Sequence, residues 1–249
     1  WATAYQSLHS ALLVAQNGDQ IWVAAGTYKP GGLRTSTFQL KSGVAIYGGF
    51  PEDGGTFDQR DWRTHATILS GDVNEAGDSS ADSYHIVTGS GVNASAVLDG
   101  FIITGGNANS GTSPDYHGGG MYNASGSPTI SHVTFLNNTA ANLGGGMYNQ
   151  LGRPTLTSVA FISNTATNGG GLYNYNCSPP LTNATFSGNS AQQDGGAIYN
   201  RESSSPSLTN VTFSANRATN SGGGMYTESG SPTMRNSILW GNTGGQIAG

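Results

Sequence analysis

The sequence predicts an all-β fold, a right-handed parallel β-helix (solenoid) closed at its start by a short N-terminal capping α-helix. Three observations lead there. Near-copies of one hexapeptide recur as GGGMYN at 118–123 and 144–149, GGGLYN at 169–174, GGAIYN at 195–200 and GGGMYT at 222–227. Their tyrosines, Tyr122, Tyr148, Tyr173, Tyr199 and Tyr226, are spaced 25 to 27 residues apart, the length of one solenoid coil. Each interval holds short β-type segments bounded by Gly and Pro, and no apolar stripe of helical length.

A second block keeps the same beat. It reads P-x-[LIM] followed by an aromatic or Leu and then x-x-N, and begins at Pro128, Pro154, Pro180 (after Pro179, with Leu181 adjacent), Pro206 and Pro232. In its Val133-Thr134-Phe135 segment, and again in Val211-Thr212-Phe213, alternation predicts that Val and Phe point inward and Thr outward. Parallel coils about 4.8 Å apart place each residue over its counterpart. Phe135, Phe161, Phe186 and Phe213 then form a core stack, continued by Leu239, beside an aliphatic column of Ile130, Leu156, Leu181, Leu208 and Met234. Three residues after each aromatic position stands Asn138, Asn164, Asn189, Asn216 or Asn242. A primary amide both donates and accepts, so stacked copies predict an asparagine ladder along the solenoid axis. The glycine triplets are read as bends and close approaches of backbone, not as phosphate cradles, because no Gly-Lys-Ser/Thr and no helix follows them.

Composition limits the partners. Charged residues are 9% of the chain, against about a quarter in an ordinary soluble domain, and the net charge of −5 comes with no basic stripe. Nucleic acid and anionic membranes are therefore not expected. No apolar run reaches the roughly 18 residues that a membrane span needs. The lone Cys177 excludes an internal disulfide framework and is read as a small residue in a turn. The first residue is Trp1, which reads as a trimmed or processed start.

The expected organisation is one β-helix domain over 1–249, with a cap at 1–18, irregular coils at 19–117 and regular coils of about 26 residues at 118–249. Thr3 and Gln6 have capping-box spacing ahead of Leu8, Ala11, Leu12 and Ala15, a short amphipathic helix ending near Asn17-Gly18. Laid across the first coil, it covers an exposed core and an unpaired strand edge. Strands are expected at 20–23, 37–40, 44–47, 67–69, 85–87 and 97–104, with long interruptions at roughly 51–64 and 72–83. Eleven of the fourteen acids precede Gly118.

The pairing of Gly-Gly-Ala-Ile at 195–198 with Phe-x-x-Asn at 135–138, 161–164, 186–189 and 213–216 resembles the repeats of polymorphic outer membrane proteins, over residues 118–249. The opening half looks like the start of secreted right-handed β-helix repeat proteins, through GDQIWVAAGTYKP at 18–30, VAIYGGF at 44–50 and TILSGD at 67–72. Together these resemblances imply a pectate-lyase-like fold, an extracellular or cell-surface location and an adhesive role.

Such folds also host polysaccharide-cleaving enzymes, so the sites must decide. No Asp-Asp pair, Gly-His-Gly or Arg-x-Lys occurs. The one plausible cluster is Asp58, Arg60, Asp61, Arg63, Asp72, Asp78, Asp82 and His85, read first as loop caps and surface ion pairs. Within it Asp72, Asn74, Asp78 and Asp82 offer hard oxygen ligands to calcium, although Ala76 and Ser83 depart from an EF-hand pattern. His117 and His132 are read as isolated turn or surface histidines, and the Thr134, Thr185, Thr212 column is broken by Ala160. The expected function is a noncatalytic extracellular or cell-surface structural protein, adhesive or assembling end to end into a larger surface structure or filament. A calcium-dependent polysaccharide lyase or other glycan-active enzyme is the alternative. Expected partners are other copies through an open C-terminal edge after 222–242, other surface proteins, and glycans.

Overall fold

The computed structural model describes residues 1, 3–73 and 79–249. Every strand pairing in it is parallel and joins one coil to the next, which defines a right-handed parallel β-helix. Three eight-stranded sheets and one five-stranded sheet run along its length. Sheet I extends from Gln20–Ala24 to Thr233–Arg235, sheet II from Gly26–Tyr28 to Ile238–Trp240, and sheet III from Phe38–Gln39 to Ile247–Ala248. Sheet IV, of two-residue strands from Asn107–Ala108 to Arg217–Ala218, was not among the sequence expectations, which gave each coil three segments.

One coil illustrates the geometry: Met147–Gln150 lies in sheet III, Thr155–Thr157 in sheet I, Ala160–Ile162 in sheet II and Thr165–Ala166 in sheet IV. A single left-handed residue turns the chain from sheet I to sheet II at every regular coil, at His132, Ser158, Asn183, Asn210 and Asn236, with φ between 48° and 56°. Asparagine tolerates that region best among residues bearing a Cβ. The first glycine triplet has a separate cause for each of two members. Gly118 has φ 63°, and a Cβ on Gly119 would overlap the carbonyl of Thr139.

The predicted columns form in register. Ile130 pairs with Leu156, Leu156 with Leu181, Leu181 with Leu208 and Leu208 with Met234. Phe135, Phe161, Phe186 and Phe213 stack with ring centroids 4.7, 4.8 and 5.2 Å apart and planes within 7° of parallel. All four are fully buried, as are Val133 and Val211. The tyrosine column turns the other way. Met121 and Asn123 face inward, so pleating sends Tyr122 outward, and Tyr122, Tyr148, Tyr173 and Tyr199 stack outside the core at 5.0 to 5.6 Å.

The first half departs from expectation in several places. The helix is Leu8–Val14 with Ser7 at its N-cap, and no side chain caps it, so the Thr3–Gln6 box does not form. Burial of Leu8 and Leu12 one turn apart fixes the helix, and Lys41 ends it by donating to the carbonyls of Leu13 and Ala15, both at 3.2 Å. The expected strand 97–104 is two strands, Val97–Asp99 in sheet I and Ile102–Thr104 in sheet II, because Gly100 at φ 84° occupies the corner that His132 takes one coil later. Gly26–Tyr28 is a strand that the sequence reading missed. Coil lengths vary as well: Ala45 pairs with Val97 and Val97 with Thr129, so residues 51–64 leave the rungs as an excursion, while the expected interruption at 72–83 lies partly outside the described residues.

Candidate functional site

The asparagines first singled out are structural. Asn138, Asn164, Asn189 and Asn216 each donate from Nδ2 to the Oδ1 of the next ladder member, at 2.9 to 3.0 Å, and each backbone N–H donates to that same oxygen at 3.0 Å. The second Nδ2 proton goes to a main-chain carbonyl one coil back, as from Asn189 to Phe161 at 2.8 Å. Asn242 closes the run on Gln246 Oε1. Every amide valence of a central member is thus used within the solenoid. A second ladder, unforeseen, runs through the hexapeptides: Asn123, Asn149, Asn174 and Asn200 are linked at 3.2, 3.2 and 2.9 Å, and Asn200 donates to Thr227 Oγ1. Its signal was the invariable Asn after Tyr in four copies.

Among the described residues the acid-rich group does not gather into one centre. Asp61 Oδ1 accepts from the Arg63 backbone N–H, which holds its carboxyl below the ordinary range. Asp72 faces Lys29 at 3.9 Å, and the main-chain carbonyl of Asp82 accepts from Arg34 Nε at 2.8 Å. Asn74 and Asp78, the other two suggested calcium ligands, lie outside the described residues. Among the described residues no three His, Cys, Asp or Glu side chains gather as a ligand set, and Lys29 already faces the Asp72 carboxylate.

What the fold does bring together is Arg60, Asp99, Ser131, His132 and Trp62, at the corner between sheets I and II. Arg60, from the 51–64 excursion, forms an ion pair with Asp99 in which both side chains are largely buried, and its Nε donates to Gly48 O at 2.5 Å. Ser131 Oγ donates to Asp99 Oδ2, and His132 Nδ1 lies 3.2 Å from the same oxygen. The Trp62 ring packs on His132 with centroids 3.9 Å apart. A shallow cleft of about 280 Å³ opens beside them, lined by Trp62, Arg63, Thr67, His132 and Thr134. His132 is therefore not isolated, contrary to expectation. Asp99 carried no local signal, since a lone acid at a strand end gains its partners only when separate coils stack.

His117 is not isolated either. It stacks on Tyr148 at 4.7 Å, while His85 stacks on Tyr122 at 5.1 Å, donates from Nδ1 to Gly118 O and faces Asp115 at 3.5 Å. Burial, then the nearby His85 charge, lowers the His117 pKa to about 4, and burial lowers that of His85. Cys177 is buried, donates to Gly152 O, and has its thiol pushed up to about 12 by burial, which fits its reading as a small turn residue.

The fold and these contacts define a parallel β-helix whose repeated polar residues serve its own stacking. The family described as the Chlamydia polymorphic membrane protein repeat matches this chain at residues 183–201. That stretch runs from one sheet I corner, Asn183, through Phe186 and Asn189 to the Gly-Gly-Ala-Ile-Tyr-Asn copy, so it spans most of one coil. No curated protein sequence and no solved structure matches the chain. Among the described residues no helix is long and apolar enough to cross a membrane.

Proposed function

We propose that the chain is a noncatalytic extracellular or cell-surface scaffold that works by adhesion or assembly. The observation that carries this reading is the wiring of the compact polar cluster around Asp99. Ser131 and His132 both bond to Asp99 instead of to each other, so no imidazole stands ready to take the serine proton. The carboxylate they share is tied to Arg60, and among the described residues no second carboxylate faces it for glycosidic acid–base work. The partial resemblance to a surface-protein repeat supports the same location and role.

Helix Leu8–Val14 lies against the first strands of sheets I and III, which supports adhesion over head-to-tail filament growth, because stacking at that end must displace or accommodate the helix. The test compares retention of beads coated with the protein on cells or extracellular matrix with turnover of acidic polysaccharides in calcium. The reading expects retention above that of uncoated beads and no new chain ends. Turnover that disappears in Asp72→Ala would overturn it in favour of a calcium-dependent lyase. Sedimentation across a concentration range separates an adhesive monomer from an assembling subunit.

A further inference from the structure

Beneath the N-terminal helix, the first strand of sheet I has, among the described residues, one side without a strand partner. Gln20–Ala24 is the edge strand and pairs only with Ala45–Phe50. Parallel pairing uses the N–H and C=O of alternate residues. The Ala45 N–H donates to Asp19 O, so Asp19 and Ile21 face the neighbouring strand while Gln20 and Trp22 turn their backbone groups the other way. On that side lies a cleft of about 610 Å³, within the usual range for ligand sites, bounded by 3–8 and the helix on one flank and by Asp19–Ala24 on the other.

The walls of the cleft are aromatic and its rim is acidic. Tyr5, Trp1 and Trp22 are 60%, 43% and 37% exposed; Trp1 and Trp22 each rest on Phe50 and keep part of their surface toward the cleft. Asp19, Glu52 and Asp53 also line it, and among the described residues no lysine or arginine does. Unpaired backbone donors and acceptors in a row recognise another extended backbone, alternating pockets recognise its side chains, and the carboxylates select positive charge.

We propose that this edge is a strand-acceptor site for an extended segment of a separate protein carrying a basic side chain between apolar or hydroxylated ones. The inference rests on the adhesive reading and names its kind of partner. The added strand lies beside Gln20–Ala24 as a further rung of sheet I, with its basic residue toward Glu52 and Asp53.

The probe is a short peptide of alternating threonine and valine around one central arginine, blocked at both ends, titrated against the 249-residue protein by tryptophan fluorescence. Saturable binding is expected. It should weaken tenfold or more when the peptide arginine becomes glutamate, when the peptide amides facing the protein are N-methylated, and in the Glu52→Lys/Asp53→Lys variant. Gln20→Pro removes one cleft-facing N–H without touching the Asp19 and Ile21 pairing and should weaken binding in the same way. If that variant does not fold, the N-methylated peptide makes the same test on the unaltered protein. Equal affinity for the methylated and unmethylated peptides, or for the arginine and glutamate peptides, overturns the proposal. So does a concentration-dependent dimer that the peptide cannot dissociate, which would seat a second copy there instead. Bead retention without peptide binding would leave the surface role standing and remove only this site.

Discussion

Residues 118–249 and residues 19–117 build the same solenoid by different means. In the later coils the inward positions repeat residues of one kind, Phe over Phe, aliphatic over aliphatic and Asn over Asn, in unbroken register. In the earlier coils the matching positions hold Leu69, Ile103 and then Phe135, and the asparagine ladder begins only at Asn138, which receives the Gly106 N–H. Irregular coils are held instead by single long-range ties. Arg34 donates to Asp82, Asn107 and Asn109, and Arg60 joins Gly48 to Asp99. Repetition distributes stability over many equivalent contacts and leaves few side chains free, whereas irregularity concentrates it in a few charged ones and brings unlike residues together. For that reason the mixed cluster of Arg60, Asp99, Ser131, His132 and Trp62 lies where an excursion from the early coils meets the first regular one.

The comparison can be broken most severely in the regular coils. Phe161→Ala removes a ring packed on both faces by Phe135 and Phe186 and should cost about 3–5 kcal/mol in urea unfolding. Asn189→Leu orphans the Asn164 amide and backbone N–H, the Phe161 carbonyl and one acceptor on the next coil, so a loss of about 3 kcal/mol is expected. The same change at Asn242, the last ladder member, should cost less, since its second partner is the exposed Gln246 and water can reach the groups freed at that last coil. Equal losses at the two positions would show that the ladder does not act through stacking.

In the early coils Asp99→Ala leaves the Arg60 guanidinium largely buried without its counter-charge, and about 2–3 kcal/mol of destabilisation is expected. Arg60→Leu/Asp99→Leu together should recover part of it, which a double-mutant cycle measures. The smallest effect is on pH. His117 is neutral in the folded chain until about pH 4 but takes a proton near pH 6.5 when unfolded, with His85, Asp115, Tyr116 and Tyr148 around it. Between those values the unfolded state binds more protons, so stability is complete above about pH 6.5 and declines as the pH falls toward 4. After allowance for solvent screening the loss is on the order of 2 kcal/mol. His117→Gln should flatten the shift in urea midpoint between pH 7 and pH 4.5, and an unchanged shift would assign the acid sensitivity to other groups.

Much of this was legible in the residues. Repeats at fixed phase announce which side chains touch, because a parallel solenoid converts sequence period directly into spatial contact. Phe161 and Asn189 needed nothing more. The second ladder was equally legible in Asn149 and Asn174, inside a motif whose glycines drew attention first. Thr3 and Gln6 misled because capping-box spacing is a local pattern, and burial of Leu8 and Leu12 against the first coil overrode it. The contacts of Asp99 and His132 were not legible, since their partners come from stretches with no shared period.

By itself the sequence determined the class of fold, the phase of its coils, the phenylalanine stack and the first asparagine ladder, all consequences of equal residues recurring at equal intervals. Only the tertiary structure decided that Arg60 reaches Asp99, that His85 and His117 lie against the tyrosine column, and that Gln20–Ala24 keeps one backbone edge beside an acidic, aromatic cleft. Those contacts depend on how far an excursion folds back and where a helix comes to rest, and no periodicity encodes either distance.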